Sequence, residues 1–206
     1  MPLIYGNVLL RNWQAFAQAR IAGFDLPGHF WERVRLDMPV SIGRYRFAEG
    51  PQDPVLLQMG AVVLAGAAGE PAREQANAGR RLMYALRFED MERETRRTLN
   101  HALGSYGFDA ARDIEAITLN RWAHGYAYEY MRPWDSFWPT GPLPIHVARA
   151  RWGRVVFANA DAGAFAYVQG AIDQATRAVG ELLPNARLPS FERQPGPGRR
   201  HLKFEP

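Results

Sequence analysis

The chain has 206 residues, 47% of them hydrophobic, with no cysteine and a formal net charge of +4. This apolar content allows a sizeable core and excludes the disordered and collagen-like classes. The lack of cysteine excludes disulfides, a thiolate nucleophile and cysteine-ligated metal sites.

The first half of the sequence predicts a sheet. Residues 3–10 have the pattern of a strand, and residues 11–23 that of a short amphipathic helix or turn. Two segments with β-branched residues, 36–47 and 54–64, predict strands. We expect these two strands to pair as a hairpin around a turn at Glu49-Gly50-Pro51.

The second half predicts two helical regions separated by strands. Apolar residues recur at helical spacing between Pro71 and Gly104, which predicts one helical region over 71–103. The segments that follow are a strand at 114–130, a Pro- and Trp-rich loop at 131–148, a buried strand at 153–158, a helix at 163–183 and a tail at 184–206.

The positive charge is concentrated in the tail. Residues 184–206 hold five basic and two acidic residues, so residues 1–183 are nearly neutral. This pattern is typical of a solvated end, and nucleic-acid binding is not expected. No apolar run approaches a membrane-spanning length and no signal peptide opens the chain, so the sequence alone predicts a soluble, cytoplasmic protein without membrane insertion.

Common catalytic signatures are missing. The five histidines lack metal-ligand spacing, which predicts no metal site, and none of the four serines lies in a GxSxG motif. Gly60, Gly66 and Gly69 stand between a strand and a helix, but their spacing matches no phosphate-binding loop and favours an ordinary turn.

An aromatic segment over 117–130 (ITLNRWAHGYAYEY) is the first candidate for chemistry. In an extended chain, alternate residues share a face, so five aromatic residues would line one side: Trp122, His124, Tyr126, Tyr128 and Tyr130. Such a row suits a planar ligand or a cation–π cage around an amine. Packing of the sheet against a helix is the alternative.

The second candidate is a turn of small residues at 158–163 that leads into the last helix. Small residues allow a ligand to approach the N–H groups of the first helical turn, where the helix dipole favours negative charge. A plain strand-to-helix connection with an Asp or Asn cap is the alternative.

These two segments together resemble a known family. IEAITLNRWAHGYAYEY followed by GRVVFANADAGAFAYVQGAIDQATRAVGELL is similar to the C-terminal part of bacterial spermidine dehydrogenases, which are FAD-dependent amine oxidoreductases related to monoamine and polyamine oxidases. Weaker similarity at NVLLRNWQAF, PVSIGRYRF and GFDAARDIEAI extends the resemblance over most of residues 3–183.

The resemblance implies roles for particular residues. It places Asn159, Ala160 and Asp161 at the ribityl–pyrophosphate region of FAD, and the helix start from Ala164 to Tyr167 at the pyrimidine end of the flavin. Ala160 stands where the family commonly has Ser. The substrate-site residues implied are the aromatic walls Trp122, Tyr126 and Tyr128, the orienting group His124, and Glu129 or Asp135 for a distal ammonium.

The resemblance also implies a domain organisation. Residues 1–150 would be a substrate-domain portion with a mixed sheet and flanking helices, in the α+β or α/β class, and 151–183 the final strand-turn-helix of an FAD-binding domain. The N-terminal Rossmann half with its GxGxxG loop is absent from the sequence. We therefore expect a partner chain that carries it, a small amine or polyamine substrate and, from the family, a periplasmic location. The alternative is a non-catalytic remnant or a scaffolding subunit of a flavoprotein complex.

Overall fold

The structure of the protein, a computed structural model, describes residues 1–130 and 143–183. The chain divides into two compact units, Met1–Tyr126 and Ala127–Pro206. The expected division of roles at residue 150 stays a prediction. The expectations for residues 131–142, which include Asp135, and for the tail at 184–206 lie outside the described residues.

The first unit combines an antiparallel sheet with helices. Its elements in chain order are β1 (Leu3–Leu10), α1 (Gln14–Ala19), β2 (Gly23–Asp25), β3 (Arg33–Leu36), β4 (Val55–Val62), α2 (Ala72–Ala85), α3 (Phe88–Leu103), α4 (Ala110–Asp113) and β5 (Ile114–Trp122). The strand order is β2-β3-β4-β1-β5, and every pairing is antiparallel. The combination of a sheet with flanking helices expected from the sequence is observed, but the expected mixed sheet is wrong, because the five described strands pair only antiparallel.

The sheet has one buried and one open face. In β1, Ile4, Val8 and Leu10 are fully buried, whereas the alternate residues Tyr5 and Leu9 are exposed. Side chains from α1, α2 and α3, among them Phe16, Met83 and Leu99, complete the core on the buried face. This alternation is what a half-buried antiparallel strand requires, because successive side chains point to opposite faces.

Two glycines allow close packing in this core. A Cβ on Gly6 would lie 2.9 Å from Cη2 of Trp31, a fully buried residue. Gly79 in α2 lies against the backbone that follows β4, since a Cβ there would come within 1.8 Å of the Val63 carbonyl oxygen. The bulky indole and the helix both approach the sheet at positions where the chain has no side chain.

The helical region predicted over 71–103 is two helices. Leu86 and Arg87 are extended, and they separate α2 from α3. The guanidinium of Arg87 donates to both oxygens of Asp90 in the first turn of α3, at 3.1 and 3.2 Å. Acidic residues in a first turn are a start signal for a helix, so Glu89 and Asp90 are the sequence feature that marks the second start.

The strand predicted over 36–47 is wrong for most of its length. Only Leu36 belongs to β3, which pairs with β4 as expected but through a longer connection. Residues 42–45 form a tight turn with a single bridge between Ile42 and Tyr45, and Gly43 adopts a φ of +58°. Met38 and Ile42 are each 74% exposed, so the apolar pattern here does not reflect burial in a sheet.

The second unit contains helices α5 (Pro144–Ala148) and α6 (Val168–Leu182), with a 3-10 turn at Ala160–Gly163 between them. The buried strand predicted over 153–158 is not formed: residues 152–155 make a turn with one bridge, and Val155 and Phe157 are about half exposed. A strand needs a neighbour for its backbone hydrogen bonds, and the described part of this unit contains no other strand. None of the helices in 1–130 and 143–183 has the length and hydropathy of a membrane span.

Candidate functional site

The aromatic segment is not one continuous strand. β5 ends at Trp122, and residues 123–126 form a turn in which Tyr126 has a φ of +61°. The expected single row of five aromatic side chains is therefore wrong. Trp122, His124 and Tyr126 belong to the first unit, and all three are exposed, whereas Tyr128 and Tyr130 belong to the second.

Gly125 fixes the turn against the start of the chain. Its N–H donates to the carbonyl oxygen of Met1 at 2.6 Å, and a Cβ at this position would lie 2.0 Å from Cδ1 of Leu3. No other residue type fits here without moving Leu3. The glycine in the HGYAYE motif thus has a packing role, and it carries Tyr126 over the open face of β1.

Tyr126 lies hydroxyl to hydroxyl with Tyr5 of β1, at 2.5 Å. Burial and this hydrogen bond raise the pKa of Tyr5 to about 12. The left-handed backbone of Tyr126 is unusual for a residue with a side chain and costs about 1–3 kcal/mol where it occurs. Sequence reasoning missed Tyr5, because only the pairing of β1 with β5 brings it to this turn.

In the second unit, Asn159 and Asp161 organise the small-residue turn. The Asn159 side-chain oxygen accepts from the Ala162 N–H at 3.1 Å and caps the 3-10 turn. The Asn159 amide also donates to Asp161 Oδ2 at 3.2 Å. Asn159 thus caps the 3-10 turn and not the last helix, for which the alternative interpretation of the sequence expected an Asp or Asn cap. The proposed contact of these residues with a cofactor stays a prediction.

The turn is also tied to the aromatic segment of the same unit. The Tyr128 N–H donates to Asp161 Oδ1 at 3.0 Å, and the Ala166 N–H donates to Glu129 Oε1 at 3.0 Å. Within the second unit, two carboxylates thus join residues 128–129 to the small-residue turn and the segment after it. The family resemblance proposed Glu129 as a partner for a distal ammonium. In the structure, its carboxylate accepts a hydrogen bond from the backbone N–H of Ala166.

The start of α6 has no side-chain cap. Tyr167 precedes the helix, its side chain accepts no hydrogen bond from the first turn, and it is 60% exposed. Ala164, two residues before Ala166, adopts a left-handed φ of +49° that reverses the chain between the 3-10 turn and the helix. Uncapped N–H groups at the positive end of a 15-residue helix favour a partly negative group.

One side of α6 is an exposed apolar stripe. Its members recur at spacings of four, three, four and three residues, which places them on one helix face: Val168, Ile172, Ala175, Val179 and Leu182. Val168 is 75% exposed and Ile172 is 55% exposed.

Among the described residues, no group of three or more potential metal-ligating side chains is present.

A comparison with known proteins shows similarity at the level of fold. No family model matches the chain, and no curated protein matches it. A solved structure of putrescine oxidase, a double mutant from a redesign of cofactor binding, matches with a TM-score of 0.54 and 13% identity over 88% of this chain. The chain spans 35% of that enzyme.

This similarity supports an amine oxidase fold. The five-stranded sheet and the helices are compatible with part of that larger fold. The finer assignment to spermidine dehydrogenases rests on the sequence resemblance alone.

Proposed function

We propose that the chain is the C-terminal, substrate-domain part of an FAD-dependent amine dehydrogenase. The single observation that carries the proposal is the fold similarity to putrescine oxidase over 88% of the chain, found independently of the resemblance carried by the aromatic segment and the small-residue turn. The resemblance names an amine as the substrate. A polyamine of the spermidine type is the first compound to test.

FAD, when bound, would supply the hydride acceptor for oxidation of the carbon beside a neutral amine nitrogen; the iminium product would be hydrolysed by water to a carbonyl compound and ammonia or a shorter amine, and an external electron acceptor would take the two electrons. The residues proposed for the substrate are Trp122, Tyr126 and Tyr128 as aromatic walls and His124 as an orienting group. Aromatic faces hold an amine without requiring a carboxylate.

The residues proposed for the cofactor lie in the second unit: Asn159, Ala160, Asp161, Ala164 and Tyr167. The local structure fits this role in one respect, since the first turn of α6 offers N–H groups that no side chain caps. Asp161 acts by shaping the turn, because its two oxygens already accept hydrogen bonds from Tyr128 and Asn159.

A partner chain with a Rossmann unit belongs to the proposal. Two features of the second unit support it. Residues 153–158 have the composition of a buried strand but no strand to pair with among the described residues, and α6 exposes its apolar stripe. A partner sheet would provide hydrogen-bond partners for the backbone of residues 153–158 and would cover the apolar stripe of α6.

The experiment is co-expression with the neighbouring reading frame. The expected product is a yellow complex whose flavin absorption bleaches on addition of spermidine or putrescine under anaerobic conditions. A colourless product that never acquires flavin would contradict catalysis and favour the second candidate, a non-catalytic scaffolding subunit of a flavoprotein complex.

A further inference from the structure

One row of residues crosses the open face of the sheet in the first unit. The register pairs Asp25 with Arg33, Arg33 with Gly60, Gly60 with Tyr5, and Tyr5 with Asn120. The row therefore includes one residue from each of the five strands. Directly opposed residues on one face are side-chain neighbours, so these five positions form a continuous line.

Gly60 leaves a gap in the middle of this row. A Cβ at Gly60 would find only the Arg33 Cβ, at 4.0 Å, so the space above the backbone is open. Adjacent strands lie about 4.8 Å apart, which places the backbones of Arg33 and Tyr5 roughly 10 Å from each other. A guanidinium and a phenol thus face each other across a gap wide enough for a small ligand.

The charge beside this gap is positive. The Arg33 side chain is 73% exposed, and its Nε lies 3.7 Å from Asp25, which binds Arg35 more closely at 2.7 Å. One carboxylate is therefore shared by two guanidinium groups. The five described strands contain one other acidic residue, Glu115, which pairs with Arg11 at 2.5 Å at the far end of β5, and Asp37, just after β3, accepts from Gln58 at 2.8 Å.

We propose that the gap over Gly60 binds the carboxylate of the amine substrate, with Arg33 as its ionic partner. This inference rests on the proposed amine oxidation and specifies its substrate class, an amine that carries a carboxylate. A guanidinium pairs with a carboxylate through two parallel hydrogen bonds, which a second ammonium group would not permit. The amine end of such a ligand extends past Tyr5 toward Tyr126 and Trp122, whose aromatic faces suit an amine.

Two ligands that differ at one end test this inference. Dissociation constants for 4-aminobutanoate and putrescine are measured by ligand-observed NMR on the full chain, without cofactor or partner. We expect 4-aminobutanoate to bind about tenfold or more tightly than putrescine, since a charge-assisted pair replaces a like-charge contact. Equal affinity, tighter binding of putrescine, or no measurable binding of 4-aminobutanoate would overturn the inference.

Variants assign the effect to the gap. Arg33→Gln should weaken 4-aminobutanoate binding about tenfold. Arg33→Lys should weaken it less, because the positive charge remains while the two parallel N–H donors of the guanidinium are lost. Gly60→Val fills the gap, in a strand that tolerates a β-branched residue, and should also weaken binding. Arg44→Gln removes an equal charge from the exposed turn at 42–45 and should have no effect. Unchanged binding in Arg33→Gln would remove this residue from the site.

The binding measurement is independent of catalysis. Binding of 4-aminobutanoate together with a partner complex that never bleaches would keep the carboxylate site and contradict the amine dehydrogenase. Flavin bleaching with putrescine, together with no binding of 4-aminobutanoate, would support the amine dehydrogenase and overturn the carboxylate site.

Discussion

The hydroxyl groups of Tyr5 and Tyr126 lie 2.5 Å apart, although 121 residues separate them in the chain. Tyr5 is on the outward face of β1, and Tyr126 reaches it through a turn with left-handed backbone. This pair joins the aromatic segment to the sheet face that carries Arg33 and Gly60, so it links the proposed amine end of the site to the proposed carboxylate end.

The Tyr5–Tyr126 pair should be visible in an alkaline titration. The pKa of Tyr5, raised by burial and by Tyr126 to about 12, exceeds its ordinary value of about 10. Because the unfolded chain ionises first, the contribution of this group to stability is complete below about pH 10 and is lost as the pH rises toward about 12. Near-ultraviolet phenolate absorbance should show one late-titrating tyrosine.

Tyr126→Phe should lower the pKa of that group, since the hydrogen bond is removed while most of the ring remains. Tyr84→Phe, in the exposed part of α2, is the matched control and should leave the late step unchanged. A late step that survives Tyr126→Phe unaltered would show that this pair does not cause it.

Asp113 should make the fold sensitive to acid. This buried carboxylate accepts from Arg112, from the Asp109 N–H and from Asn12, and it joins the end of β1 to the start of β5. The hydrogen bonds from Arg112 are the main cause of its lowered pKa. Its contribution is therefore present above the ordinary carboxyl range near pH 4 and is lost as the pH falls through the lower folded value.

Asp113→Asn should reduce the free energy of unfolding at neutral pH by about 1–3 kcal/mol and flatten its acid dependence. Denaturant unfolding between pH 7 and pH 3 measures both. Asp173→Asn, on the exposed part of α6, is the control. Parallel pH profiles for Asp113→Asn and the unmodified chain would contradict this role.

Gly125→Ala should destabilise the first unit by about 1–3 kcal/mol, because the added methyl group overlaps Leu3. Gly104→Ala is the matched control, since a Cβ there meets nothing within 4 Å and its φ is an ordinary −59°. Thermal unfolding of the two variants should differ clearly. Equal midpoints would mean that the start of β1 does not hold this turn.

Asp161→Ala should weaken flavin retention in the partner complex about tenfold, because the turn loses its bonds to Tyr128 and Asn159. Flavin released on dilution and filtration gives the measurement. Asp173→Ala removes an equal charge from α6 and should retain flavin. If Asp161→Ala retains it as well, this residue does not support the cofactor.

Ile172→Asp should reduce recovery of the partner chain in a pull-down, because a charge would have to be buried in the apolar stripe of α6. Gln169→Asp adds the same charge to an exposed position beside the stripe and should preserve recovery. Equal recovery of both variants would contradict a partner surface at this stripe.

Local sequence patterns predicted the elements whose apolar residues recur at strand or helix spacing. β1 and β4 alternate and bury one face, and the last helix forms at its helical spacing although its apolar stripe is exposed. The failures occur in strand patterns, because a strand needs a neighbouring strand for its backbone hydrogen bonds, whereas a helix makes its own. Residues 36–47 and 153–158 have strand composition, yet each forms only a tight turn with a Gly-Arg pair at its centre.

The sequence by itself determined the helix and strand types of the well-patterned segments and the resemblance to an amine oxidoreductase, since both depend on residues close together in the chain. Only the tertiary structure decided that Tyr5 meets Tyr126, that Gly125 lies on Leu3, and that Arg33, Gly60 and Tyr5 share one row. The physical reason is strand register. A shift of one residue in any pairing would turn each of these side chains to the opposite face, and register is set by the whole buried face of the sheet.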